Sequence, residues 1–277
     1  MGSQRMPETA WLGLDLGTQS VRAMLVSETG EIIGIGSEKL NSERSGGKHE
    51  QIPDEWWKAA SAASRAALAS LPADSIVAGV AIDGTSGTIL LTDSRGRPLT
   101  AGLMYDDTRA ADEAKCVNEV GATVWQMLGY NRMQASRGLP KLLWLLKHHG
   151  PLTDGTRLMH QSDVINERLV GEPVATDTSK ALKTGVDLIS ERWPHQVFAD
   201  LGVPPEILPP VVRAGIVLGL VNAAASAETS LPQRTPVIAG MTDGCAAQID
   251  ADKEVALLRY NSDVAPIVNH QSSKESQ

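Results

Sequence analysis

Two aspartates sit where an apolar run meets a glycine. One is Asp15, in Leu14-Asp15-Leu16-Gly17-Thr18-Gln19-Ser20; the other is Asp243, in Gly240-Met241-Thr242-Asp243-Gly244. A tight turn at residues 17–20 can aim backbone N–H groups and a hydroxyl at one point, which suits an anion such as phosphate. A carboxylate beside it would repel that anion unless a divalent cation lies between them. Mg²⁺ fits this role, because it keeps several waters, takes one or two carboxylates and shares substrate phosphates. Two carboxylates at strand ends in one cleft could hold the metal and also take a proton. Attack of a hydroxyl on a γ-phosphate needs both functions. The competing interpretation is an ordinary hairpin and loop, whose Asp and Thr only satisfy their own turns. The pattern alone does not choose between them.

A third candidate is the small, polar segment Asp83-Gly84-Thr85-Ser86-Gly87. Its lack of bulk leaves room for a polar ligand, and the hydroxyls of Thr85 and Ser86 could bind substrate hydroxyls. A plain turn between strands is the alternative. Asp107 and Arg109 could line the same cleft or pair with each other, and Lys183 and Asp187 pose the same choice. Cys245 lies beside Asp243, but nothing near it in sequence would lower its pKa, so it reads as a packing residue.

These residues need a frame to hold them. Residues 11–40 read as three strands, with reversals at 17–20 and at Glu28-Thr29-Gly30. Residues 41–51 are polar and read as a loop. A helix is expected over residues 54–71, with Trp56, Ala60, Ala63, Ala67 and Leu71 on one face. Short strands follow at 76–82, 88–93 and 102–105, then helices at 109–120 and 139–148. A strand at 157–161 precedes a helix at 162–170, capped by Ser162 or Asp163. Residues 236–239 form another buried strand, followed by a short helix from Cys245. Strands in a meander and then alternating with helices imply an α/β domain with a mixed sheet.

Composition narrows the function. The chain has 277 residues, of which 42% are apolar and only 4% aromatic, so a large core must rest on Ala, Val, Leu and Ile. The net charge of −8 argues against a nucleic-acid partner and against an anionic membrane surface. Residues 1–10 lack a signal-peptide core, and the apolar run at 211–221 is broken by Arg213 and by glycines. Two cysteines, Cys116 and Cys245, lie far apart and fit a reduced, cytoplasmic setting, with the plastid left open.

The motifs in order resemble the amino-terminal half of the FGGY carbohydrate kinases over residues 11–249. Residues 14–22 look like that family's first phosphate loop. Residues 81–88 stand where it contacts sugar. Leu139-Pro140-Lys141-Leu142-Leu143-Trp144 is similar to its Lys-Leu-x-Trp helix, Thr176-Asp177-Thr178-Ser179 to its Thr-Asp-x-Ser segment, and residues 239–247 to its catalytic-Asp motif. The resemblance implies an α/β fold of the ribonuclease H-like, actin/Hsp70 type and ATP-dependent phosphorylation of a sugar hydroxyl. It implies Asp243 as general base and Asp15 and Asp243 at substrate and Mg²⁺. It also implies Gly17, Thr18 and Gln19 at the ATP phosphates, and Thr85 and Ser86 at the sugar. The Asp-Gly-Thr-Ser-Gly form, with Ala181-Leu182-Lys183-Thr184-Gly185, looks more like the D-ribulose kinase branch of cyanobacteria and plants than like xylulokinases. A pentulose, D-ribulose or D-xylulose, is the substrate it implies.

The resemblance ends at Ile249. Residues 251–277 carry no glycine-rich loop, so the chain reads as the first of two family domains behind a flexible segment at 1–10, with a divergent, partly disordered tail. The family's cleft lies between two domains, and positioning supplies much of the rate of phosphoryl transfer. Little or no turnover is therefore expected from this chain alone, with self-association through the exposed inter-domain face. A non-catalytic sugar-binding or regulatory fragment is the alternative. A structural ATPase-fold protein of the actin class is a third reading, and residues 83–87 and 141–144 count against it.

Overall fold

A computed structural model describes residues 9–130 and 132–250. It opens with an antiparallel meander of β1 (Thr9–Leu16), β2 (Ser20–Ser27) and β3 (Ile32–Lys39). Alternation along β1 and β2 buries Leu12, Leu14, Leu16, Val21, Ala23 and Leu25 on one face. Trp11, Gly13 and Asp15 stand on the other. Thr9 and Ala10, assigned to a flexible segment from sequence, belong to β1, and Ala10 is fully buried. The rest of that segment, and the expectations for residues 251–277, fall outside the described residues.

The loop expected at residues 41–51 is instead a hairpin of β4 (Glu43–Ser45) and β5 (Lys48–Gln51). Its side chains are all polar, so the alternation of buried His49 and Gln51 with Lys48 and Glu50 is invisible to a hydrophobic pattern. Helix α1 (Pro53–Leu68) starts on its proline and turns Trp56, Ala60, Ala63 and Ala67 onto β2 and β3. It stops before Leu71, the last residue of the expected face. Strand β6 (Ile76–Gly84) runs parallel to β1, with Asp15 paired to Asp83 and Leu16 to Gly84. Asp83 and Gly84 are therefore strand residues and not part of a turn.

Next come β7 (Ile89–Thr92), β8 (Gly102–Leu103), α2 (Ala111–Val120), α3 (Ala122–Met127) and α4 (Gly138–His148). Helix α2 begins two residues later than expected, because Arg109 is engaged in ion pairs. Strand β9 (Arg157–His160) leads into α5 (Gln161–Val170). The cap is His160, two residues before Ser162: Asp163 Oδ2 accepts the His160 N–H at 3.1 Å. Then come β10 (Thr176–Asp177), α6 (Thr178–Ala181), α7 (His195–Asp200), β11 (Val211–Val212), β12 (Val217–Leu220) and α8 (Ala223–Thr229). The chain reaches β13 (Pro236–Thr242) and α9 (Asp243–Asp250), a helix that starts on Asp243 rather than Cys245.

The main sheet has six strands in the order β12-β13-β6-β1-β2-β3, and a second has five in the order β4-β5-β8-β7-β9. One core packs the main sheet on α1, α5 and α8 through Leu14, Trp56, Ile82, Ile165 and Ala225. Another gathers Trp125, Leu139, Leu142, Phe198 and Ile89 beside the second sheet. Strands β13, β6 and β1 are neighbours and run parallel. Their carboxyl ends, where ligands of open α/β sheets collect, therefore lie side by side. Among the described residues no helix is long and apolar enough to cross a membrane.

Candidate active site

The register of three strands builds the site. Asp15 lies near the end of β1, Asp83 beside it near the end of β6, and Asp243 directly after β13. Burial raises the Asp15 carboxyl above the ordinary range. The Arg22 guanidinium across the hairpin opposes this and the charge of Asp243 adds to it. Burial also pushes Asp83 up, to about 7, with the charges of Asp15 and then Asp243 adding to the effect and Lys180 opposing it. Asp15 and Asp83 are partners in the register of adjacent parallel strands, so the charge of one bears on the other. The two sequence-expected aspartates thus converge, with a third carboxylate between them. Asp83 was legible: it ends an apolar strand, as Asp15 and Asp243 do, but its place in a supposed turn hid the parallel.

Asp15 and Asp83 line a cavity of about 650 Å³ on the open face of the main sheet, bounded also by Met24, Ile35, Ile238, Gly240 and Ala246. A second cavity, about 480 Å³, lies between residues 94–97 and 167–173 and holds none of the three aspartates. Gly240 is required where β13 meets β6, since a Cβ there would lie 2.1 Å from the Ile82 carbonyl oxygen.

The turn at residues 17–20 is held from behind. Gly17 N–H donates to the Ser20 carbonyl at 3.1 Å, and Leu40 N–H donates to the Gln19 carbonyl at 2.9 Å. Buried Gln51 donates through Nε2 to the Thr18 carbonyl at 2.7 Å, while its Oε1 accepts Trp56 Nε1–H at 2.7 Å. The carbonyls are thus taken up inside the protein. The N–H groups of Thr18 and Gln19 meet no acceptor among the described residues, which leaves them free for an anion. Gln51 escaped notice because it lies in the segment read as a loop.

The segment after Asp83 divides its two hydroxyls. Thr85 Oγ1 bonds to Gln161 Oε1 at 2.8 Å and to Thr88 Oγ1 at 2.6 Å, so its hydroxyl is engaged within the protein. Ser86 has no protein partner among the described residues. Gly87, at φ +89°, turns the chain in the left-handed region. Its carbonyl is held by the fully buried Lys141, whose Nζ donates to Gly87 at 2.6 Å, Met104 at 2.7 Å and Leu103 at 3.3 Å. Burial brings the Lys141 ammonium down to about 7, opposed chiefly by Asp107.

The remaining candidates are structural. Arg109 pairs with Asp107 at 2.8 Å and Glu50 at 2.6 Å and stacks on Trp144, and neither residue of the pair lines the cavity that holds Asp15 and Asp83. Asp187 accepts from Ile189 N–H and Ser190 Oγ–H within its own turn, and Lys183 lies against Gly87. Cys116 and Cys245 are free thiols.

A cation fits this arrangement. Asp83 Oδ1 is buried and no N–H or hydroxyl of the described residues reaches it. No group of three ligand side chains among the described residues stands close enough to hold an ion alone. The donor set is therefore a partial carboxylate shell, which suits an ion that keeps water and shares phosphate oxygens.

The chain, a mixed sheet flanked by helices, has the actin-like fold of solved sugar kinases. It superposes on the crystal structure of xylulose kinase from Rhodospirillum rubrum with a TM-score of 0.77 and 29% identity, covering 86% of this chain and 50% of that one. Residues 10–249 match the amino-terminal domain of the FGGY family of carbohydrate kinases, and the chain belongs to that family. It is 31% identical over 246 residues to xylulose kinase from Streptomyces coelicolor, covering 86% of this chain and 49% of the relative. It is also 31% identical over 254 residues to autoinducer-2 kinase from Salmonella paratyphi B, covering 84% and 46%. The chain spans about half the length of the curated relatives it matches.

Proposed function

We propose that this chain carries the sugar side and the catalytic base of an ATP-dependent pentulose kinase. The observation that carries this reading is the convergence of Asp15, Asp83 and Asp243 beside a turn with free N–H groups. Asp243 takes the proton of the attacking sugar hydroxyl on its carboxylate, which is exposed at the first turn of α9. Asp15 and Asp243 hold Mg²⁺ and the substrate. Gly17, Thr18 and Gln19 receive the phosphates through backbone N–H groups, and Ser86 orients a sugar hydroxyl. When bound, Mg·ATP supplies the phosphoryl group and neutralises its developing charge. D-Ribulose or D-xylulose is the substrate; relatives named as xylulose kinases and the Asp83-Gly84-Thr85-Ser86-Gly87 segment support a pentulose. Self-association through the open sheet face is part of this reading, supported by exposed Trp11, Met24 and Ile35.

The test is calorimetric titration with D-ribulose, D-xylulose and glycerol, followed by ADP release with Mg·ATP. Pentulose binding is expected, with little or no ADP release from this chain alone and pentulose-dependent release once it is completed with the family's second domain. In that completed protein the Asp243→Ala variant should lose transfer by at least about 100-fold while keeping its fold, because the side chain is exposed. Undiminished transfer in that variant would remove Asp243 from the chemistry. Sugar binding without ADP release even in the completed protein would leave a sugar-binding chain, and binding of no pentulose would end the reading.

A further inference from the structure

We propose that α6, through Asp177, Ser179 and Lys180, is the positioning device that sets Asp243 against Asp83. This rests on the reading of Asp243 as the base. The argument begins with a fault in the main sheet. Strand β13 pairs Ala239 with Ile82 and Thr242 with Gly84, so its register shifts across Gly240 and Met241, just before Asp243. Gly240 is pressed against the Ile82 carbonyl there. A ladder irregular at this point cannot by itself fix the residue that follows.

Helix α6 supplies the missing ties on both strands. Ser179 Oγ accepts the Thr242 N–H at 2.9 Å, one residue before Asp243. Lys180 Nζ donates to the Ile82 carbonyl at 3.3 Å, one residue before Asp83. Both side chains are fixed by Asp177. Its Oδ1 accepts from the Ser179 hydroxyl and from the Ser179 and Lys180 N–H groups at 2.9 and 3.2 Å. Its Oδ2 lies 2.6 Å from Lys180 Nζ, an ion pair off the angle of a hydrogen bond, with both side chains almost wholly buried. Because the Ser179 hydroxyl donates to Asp177, its lone pairs are left for Thr242, and it has one orientation. A buried ion pair leaves little freedom to the groups it holds, and here it holds the ends of both carboxylate-bearing strands. Asp177, Ser179 and Lys180 are positioning residues, acting through the backbone of Thr242 and Ile82.

The experiment compares Ser179→Ala and Ser179→Thr with wild type in the full 277-residue chain. Amide exchange is followed by ¹H–¹⁵N spectroscopy, and pentulose-dependent ADP release gives kcat and KM. In Ser179→Ala, exchange at Thr242 should quicken roughly tenfold, the Asp243 amide resonance should move, and amides at the start of β13 should not change. kcat should fall at least about tenfold with the sugar KM within about twofold, and Ser179→Thr should restore both. Wild-type kcat in Ser179→Ala overturns the proposal. So does a loss expressed mainly in KM, or one that accompanies faster exchange along the whole of β13. If the chain alone shows too little turnover to measure, the resonances judge the positioning: an unmoved Asp243 amide in Ser179→Ala overturns it.

Discussion

Replacing Asp83 with Asn tests the electrostatics of the site without touching its shape. In the fold the Asp83 carboxyl is pushed from 3.8 to about 7, first by burial and then by the charges of Asp15 and Asp243. A shift of about three units, at about 1.4 kcal/mol each, makes the ionised form cost the folded state about 4 kcal/mol. The sign follows from linkage. The folded pKa is raised, so between about pH 4 and pH 7 the fold holds a proton that the unfolded chain has released, and stability declines as pH rises through that window. Above it the penalty is constant. Asn is neutral at every pH, so Asp83→Asn should show no such decline. Because part of the penalty is burial, which a polar amide also meets, the gain at pH 8 should be roughly 2–4 kcal/mol. Urea denaturation of both proteins from pH 4 to pH 8 measures this directly. The gap between variant and wild type should be near zero at pH 4 and widen to its full size by pH 7. A gap of the same size at every pH, or a wild type more stable than the variant at pH 8, would refute the reasoning.

Two further substitutions probe the frame. Lys141→Met strands the carbonyls of Gly87, Leu103 and Met104 without their buried donor, and should cost about 3 kcal/mol or more in denaturant unfolding. Gln51→Leu frees the Thr18 carbonyl and orphans Trp56 Nε1; it should cost about 2 kcal/mol and raise the KM for Mg·ATP while leaving pentulose affinity within about twofold.

The elements that carry apolar periodicity were legible in the sequence. The meander of β1 to β3, the face of α1, and the strand ends at Asp15 and Asp243 all follow from spacing alone. What escaped reading is polar and held by tertiary contacts. His49 and Gln51 are buried in β5, yet nothing in Lys48-His49-Glu50-Gln51 marks a strand; the partners that make it one, Gly102 and Leu103, lie far along the chain. The short β10 and α6 are fixed by Asp177 and not by hydrophobic pattern, so the motif was visible there while its mechanical role was not. Asp83 failed for a different reason. Glycine and small polar residues on its carboxyl side read as a turn, and only pairing with β1 shows that the strand continues past it.

The pairing of Asp15 with Asp83 across two parallel strands has a consequence for how such a protein can diversify. Adjacent strands lie about 4.8 Å apart whatever side chains they carry, so the spacing of these acidic groups is a property of the main chain. Ser86, whose side chain has no protein partner among the described residues, lies beyond the last paired residues and can change without disturbing that spacing. On the proposed kinase reading, preference among polyols is thereby separable from the acidic machinery, and one scaffold can exchange its carbohydrate while leaving its charge geometry alone.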